Sequence, residues 1–141
     1  MNPDNETLRQ ILQNTAVIAM VGASMNADRP SHGVMRFLMG KGKRVIPVNP
    51  GHAGEVLLGE TVYASLSDVP AGFAVDMVDV FRRSDAVLPI VEQAVADLPH
   101  LRVIWLQLGV ESVAGAKIAQ AHGVKMVQNR CPAIEWRRLG L

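Results

Sequence analysis

The chain predicts a doubly wound α/β fold, a mainly parallel sheet with helices on both faces, in a single domain over residues 1–141. Three observations predict it. Short runs of Val, Ile, Leu and Met alternate with stretches of helical periodicity, the pattern of strand–helix–strand units. The runs are apolar enough for a sheet buried on both sides. The first run, Val17 to Val21, stops at Gly22-Ala23-Ser24, crosses a polar loop and restarts as a helix near Ser31. In that layout a backbone turn and a helix N-terminus receive a phosphate group.

In chain order, Leu8, Ile11 and Leu12 share one face of an opening helix, with Asp4 or Asn5 as its cap. Val17–Val21 is the first buried strand. Val34, Phe37 and Leu38 stripe a second helix from Ser31 to about Lys41, which Gly40 and Gly42 end. Arg44–Val48 is the second strand. Asn49 to Pro70 carries Pro50, Gly51, Gly54, Gly59 and Pro70, so this crossover reads as an irregular excursion with a small strand at Thr61–Tyr63. Ala74–Val80 is the third main strand. Ser84 is the expected cap of a helix from about Asp85 to Asp97, whose apolar side holds Val87, Ile90, Val91, Ala94 and Val95. Val103–Leu106 is the fourth strand, and a helix from about Ser112 to His122 follows and stops at Gly123. Lys125–Val127 is the fifth, and a short last helix follows Pro132, which suits a first helical turn.

Composition narrows the function classes. With 49% hydrophobic residues, 19% charged residues and a net charge of +1, the chain has no bulk basic field to argue for nucleic acid, although local cations still serve a single anionic ligand. Cys131 is the one cysteine, so no internal disulfide framework exists and a reducing compartment is expected. The polar start MNPDNETLRQ lacks the basic and apolar regions of a signal peptide, and no apolar run approaches the roughly 20 residues of a membrane helix. The expectation is a cytoplasmic, soluble protein with a small-molecule ligand and no membrane partner.

The loop departs from the dinucleotide fingerprint G-x-G-x-x-G. Ala23-Ser24 follows Gly22, and the next glycine is Gly33. No acidic residue ends the second strand, which closes in Pro47-Val48-Asn49-Pro50, so a ribose 2′-hydroxyl lacks its usual carboxylate partner. A ligand with an extra phosphate on its adenosine wants cations instead; Arg29, Lys41, Lys43, Arg82 and Arg83 are of the right type. An ordinary strand-to-helix turn with Ser31 as N-cap is the plain alternative.

Gly22-Ala23-Ser24, Arg29-Pro30-Ser31, Val48-Asn49-Pro50, Val78-Asp79-Val80-Phe81, Trp105-Leu106-Gln107-Leu108-Gly109 and Asn129-Arg130-Cys131-Pro132 occur in this order. With them the chain resembles, over essentially its whole length, the stand-alone CoA-binding proteins of bacteria and archaea. It is similar in fold class to the N-terminal CoA-binding domain of the succinyl-CoA ligase α subunit. The resemblance implies a Rossmann-like fold that binds coenzyme A or an acyl-CoA at the C-terminal strand edge. It implies that Gly22, Ala23 and Ser24 meet the diphosphate through N–H groups and a hydroxyl, and that Arg29, Pro30 and Ser31 flank the phosphoadenosine. Asn49 and Pro50 would line the nucleotide side, and Val80, Phe81 and Arg82 the groove beside the first strand. Trp105, Leu106, Gln107, Gly109 and Cys131 would lie towards the pantetheine. The ligase reaction uses a phosphorylated histidine on a second domain and a partner subunit; this sequence carries neither, which leaves a non-catalytic carrier, sensor or regulatory role.

Single residues keep two readings each. Cys131 is either a thiol near that of CoA, able to form a mixed disulfide, or a buried small residue. His32 either donates to a phosphate or is a solvated first-turn residue; His52, His100 and His122 are surface residues with no metal spacing. Asp76 and Asp79 fall on opposite faces of a regular strand, which makes no acid–base pair of them. Trp105 packs on the ligand's arm or in the core, and Glu135, Arg137 and Arg138 read as a charged helix face. The rival functions are an NAD-binding redox-sensing module, an enzyme of acyl-CoA chemistry, and a CoA-binding subunit of an acyl-CoA synthetase assembly.

Overall fold

Residues 2–141 are described by a computed structural model in which the five expected apolar runs lie side by side in one parallel sheet. The elements run α1 (Asn5–Asn14), β1 (Val17–Val21), α2 (Pro30–Gly40), β2 (Arg44–Val48), β3 (Val56–Leu57), β4 (Glu60–Thr61), β5 (Met77–Val80), α3 (Val87–Asp97), β6 (Val103–Leu106), α4 (Val113–Ala121), β7 (Lys125–Val127) and α5 (Pro132–Arg138). The main sheet has the order β2-β1-β5-β6-β7, and β3 pairs with β4 as a separate antiparallel hairpin. Asp4 caps α1 by accepting the Thr7 N–H at 2.9 Å.

Strand alternation divides the core into two layers. Ala19, Val21, Val78, Val80, Ile104 and Leu106 face Val87, Val91 and Ala94 of α3 and Ala119 of α4. Ile18, Met20, Met77 and Trp105 face α1, α2 and α5 through Leu8, Ile11, Met35, Leu38 and Ala133. Both sheet faces are covered, which is the doubly wound arrangement that the sequence predicts.

The edges of the elements depart from expectation where side chains replace backbone bonds. The strand expected from Ala74 begins at Met77, because Ala74 turns into the left-handed region at φ 57°. Asp76 joins the sheet through its side chain instead, accepting the N–H groups of Ala16 and Val17 at 3.0 Å each. Ser84 does not cap α3, which begins at Val87 after a 3₁₀ turn; its hydroxyl accepts the Glu111 N–H at 3.0 Å and so joins the loop after β5 to the loop after β6. Ser112 caps α4 by accepting the Gly115 N–H at 2.9 Å. The irregular segment holds the β3–β4 hairpin, and beyond it Tyr63 forms an isolated bridge with Val48. At the other side of the sheet the Asn2 amide pairs reciprocally with the backbone of Gln128, at 2.8 and 2.7 Å. Among the described residues no helix is long and apolar enough to cross a membrane.

Candidate functional site

From β1 the chain steps to β2 on one side, and it returns through β5 on the other, so the winding reverses between β1 and β5. In open α/β sheets such a reversal leaves a crevice at the carboxyl ends of the strands. Here the crevice lies between the loops after β1 and β5, and Gly22 makes their approach possible. Its φ is +86°, and a Cβ built on it would stand 2.4 Å from the Phe81 carbonyl oxygen. Only glycine tolerates both conditions. Its own N–H is used by the sheet, donating to Val48 O at 2.9 Å.

The loop beyond it is tied from within. Ser24 N–H donates to Ser31 Oγ at 3.0 Å, Ser24 Oγ accepts the Asn26 N–H at 3.1 Å, and Asn49 Nδ2 donates to Ala23 O at 2.8 Å. Ser31 is therefore a loop clasp rather than the helix cap: α2 starts at Pro30, with Arg29 at the cap position and no side-chain cap bond. The N–H groups of Ala23, Met25 and Ser31 have no acceptor among the described residues. With the positive end of the α2 dipole behind them they form an anion-binding surface.

Two hollows open there. A cleft of about 300 Å³ is lined by Gly22, Ala23, Ser24, Arg29, Pro30, Ser31, Asn49, His52 and Phe81. A groove of about 700 Å³ shares Pro30 and Phe81 with it and continues past Arg82, Arg83, Gln107, Leu108, Gly109 and Val110. Loops after β1, β2, β5 and β6 thus meet. Pro50 is exposed at the start of a 3₁₀ turn beside the cleft, held by Asn49 Oδ1 accepting the Gly51 N–H at 2.9 Å. A third hollow, of about 320 Å³ between α1 and the sheet, lies by Asp76, Arg102 and Lys125 at the opposite strand edge, away from the winding reversal.

Several expected site residues sit elsewhere. The side chains of Val80 and Leu106 are fully buried in the α3–α4 layer, on the sheet face away from α2 and α5. Lys41 and Lys43 follow α2, whose eleven residues span about 16 Å at 1.5 Å per residue, so they stand at the far end from the cleft. There Lys41 Nζ lies 5.3 Å from the centre of the Phe37 ring and Lys43 Nζ 5.6 Å from that of Trp136. Trp105 is a core residue: fully buried, it donates from Nε1 to Arg130 O at 2.9 Å, which fixes the loop leading to α5. Cys131 is buried at the cap position of α5. Asn129, at φ 54°, accepts the Gly109 N–H at 2.7 Å through Oδ1 and so shapes the groove from behind. Glu135, read as part of a charged surface, is buried and paired with Arg138 at 2.9 Å.

Three buried polar side chains at this edge lack partners among the described residues. His32, expected on the surface or on a phosphate, is only 8% exposed, and its Nδ1 has no bond. Gln107 is equally buried, and its Oε1 is unpaired. Asp79 is fully buried with neither oxygen bonded, and burial pushes its carboxyl well above the usual carboxylate range. His52, set aside as a surface residue, lines the cleft and pairs with Glu55 at 2.8 Å. Its place in Asn49-Pro50-Gly51-His52, a tight turn at a strand's carboxyl end, was the sequence signal for it.

With this geometry in hand, comparison with known proteins is specific. The family model described as a CoA binding domain matches residues 16–137. An uncharacterized protein of Bacillus subtilis, YneT, is 31% identical over 131 residues, 92% of each chain. A Thermus thermophilus protein of known structure superposes with a TM-score of 0.89 at 36% identity, over 97% of this chain and 99% of that one. The dinucleotide-forming acetyl-coenzyme A synthetase 1 of Ca. Korarchaeum cryptofilum superposes with a TM-score of 0.66 at 25% identity, over 83% of this chain and 26% of the synthetase. The chain belongs to the CoA binding domain family.

Proposed function

We propose that this member of the CoA binding domain family holds coenzyme A, or an acyl-CoA, across the crevice between β1 and β5, as a carrier, sensor or regulatory protein. The observation that carries this reading is the anion surface at the start of α2. Free N–H groups of Ala23, Met25 and Ser31 meet a helix N-terminus over a turn that only Gly22 can make. The diphosphate rests there. Arg29 and His52 stand at the nucleotide side of the cleft, where the absence of a carboxylate at the end of β2 suits a 3′-phosphate better than a free ribose pair. The groove past Phe81, Gln107 and Gly109 takes the pantetheine arm.

Titration calorimetry with CoA, dephospho-CoA and NAD tests this. CoA is expected to bind, dephospho-CoA more weakly and NAD not measurably. No binding of CoA at millimolar concentration overturns the reading; equal affinity for CoA and dephospho-CoA removes the role assigned to the 3′-phosphate. A second reading, a CoA site lent to a larger acyl-CoA synthetase, draws on the likeness to one quarter of the archaeal synthetase chain. Co-purification with a nucleotide-binding partner would favour it.

A further inference from the structure

Six polar or charged side chains are buried among the described residues, and they divide by place. Thr15, Ser31 and Glu135 have partners: Thr15 donates to Ile11 O at 2.7 Å, Ser31 accepts from Ser24, and Glu135 holds Arg138. His32, Asp79 and Gln107 each keep at least one unpaired atom, and all three lie at the carboxyl edge of the sheet. Buried polar groups without partners are rare and costly, so their gathering at the ligand edge calls for a function.

The sheet register relates two of them. Asp79 stands opposite Trp105 in the β5–β6 pairing. Gln107 lies two residues beyond Trp105 and extends the ladder by donating to Val80 O at 3.2 Å. Alternation makes Asp79 and Gln107 diagonal neighbours on one face, a separation that a long side chain can span. Their chemistry is complementary in one protonation state only. An ionised carboxylate and an amide oxygen are both acceptors, whereas a protonated carboxyl has the O–H that Gln107 Oε1 lacks. Gln107 also lines the groove, so its other end is available to a ligand.

We propose that Asp79 is a positioning residue: holding its proton, it donates to Gln107 Oε1 when the groove is filled and thereby turns the Gln107 amide N–H groups towards a carbonyl oxygen of the ligand's pantetheine or acyl arm. This rests on the reading of the crevice as a CoA site. Asp79 touches no ligand; its effect passes through Gln107. Gln107 Oε1 and one Asp79 oxygen, unpaired in the free protein, are then paired with each other in the complex.

The test compares CoA with adenosine 3′,5′-bisphosphate, which lacks the arm, by calorimetry on the full chain. Asp79→Leu cannot donate and is expected to weaken CoA by about tenfold, the scale of one hydrogen bond, with the bisphosphate unchanged. Asp79→Asn, whose amide can donate, recovers most of that loss. Gln107→Leu, at the groove wall and outside the strand, loses CoA affinity to a similar degree, and the double variant Asp79→Leu/Gln107→Leu loses no more than either alone. If Asp79→Leu fails to fold, Gln107→Leu and Asp79→Asn carry the test. CoA binding that Gln107→Leu or Asp79→Leu leaves within twofold overturns the relay. Equal losses for both ligands, or losses that add in the double variant, overturn it too. Failure of the wild-type protein to bind CoA overturns the underlying reading of the crevice instead.

Discussion

Replacing Asp79 by Asn should make the protein more stable at neutral pH and leave it nearly unchanged only below about pH 4. Asn has almost the shape of a protonated carboxyl but cannot ionise. In the fold, Asp79 is fully buried with both oxygens unpaired, and its carboxyl titrates well above the ordinary range because burial penalises the charge. In the unfolded chain it ionises near pH 3.9. Between that pH and the raised midpoint, the folded wild type holds a proton that the unfolded chain has released. Its stability is therefore full below about pH 3.9 and declines as pH rises, at a limiting rate of about 1.4 kcal/mol per pH unit for one proton. Other groups on that side of the sheet, including His32, Cys131 and Glu135, are present in both proteins and cancel in the difference. Urea unfolding followed by tryptophan fluorescence, at half-unit steps from pH 4.5 to 7.5, gives both curves. The stability difference between Asp79→Asn and wild type should open steadily from the acid end and level off only where the folded carboxyl titrates. Parallel curves across the whole range would refute the account of a neutral, unpaired Asp79.

Gly22→Ala places a left-handed backbone and a 2.4 Å contact with Phe81 O on a residue that tolerates neither. It should cost about 2 kcal/mol or more in chemical denaturation and abolish CoA binding. Trp105→Phe leaves the part-buried Arg130 O without its 2.9 Å donor. A loss of about 1–3 kcal/mol is expected, with faster amide exchange over Asn129–Cys131 as the local sign. Cys131, 6% exposed, should react with a thiol reagent at the rate of local opening in the native protein and at the free-thiol rate in urea; mass spectrometry of timed samples separates the two.

The strands were legible because burial on both faces leaves little but aliphatic side chains, as in Val17–Val21 and Val103–Leu106. The spatial order of the strands, and with it the reversal of winding beside Gly22, is set by tertiary packing and was not written in any single run. Element ends were less legible. Ser31 and Ser84 have the composition of helix caps, yet each spends its hydroxyl on another loop, a choice that only tertiary contact decides. Charge type pointed to Lys41 and Lys43, but the length of α2 carries them to the wrong end of the domain. Asp79 lies near the carboxyl end of an apolar run, which the sequence shows. Its lack of any partner depends on what α2 and α5 bring over it, which no local pattern encodes. Membership of the family was legible because six short motifs recur in order across the chain.

The pairing of Asn2 with Gln128 bears on how copies of this protein meet. β7 is the outermost strand on its side, and outer strands invite edge-to-edge growth into aggregates. One side-chain amide, offering a donor and an acceptor at 2.8 and 2.7 Å, occupies the backbone where that strand ends. On the other side, Tyr63 takes up the outward backbone groups around Pro47 and Asn49. Each border thus carries a small local device that closes part of it. Recombinant forms that displace Asn2 with a tag reopen one of them, and such proteins should be the first to aggregate on concentration.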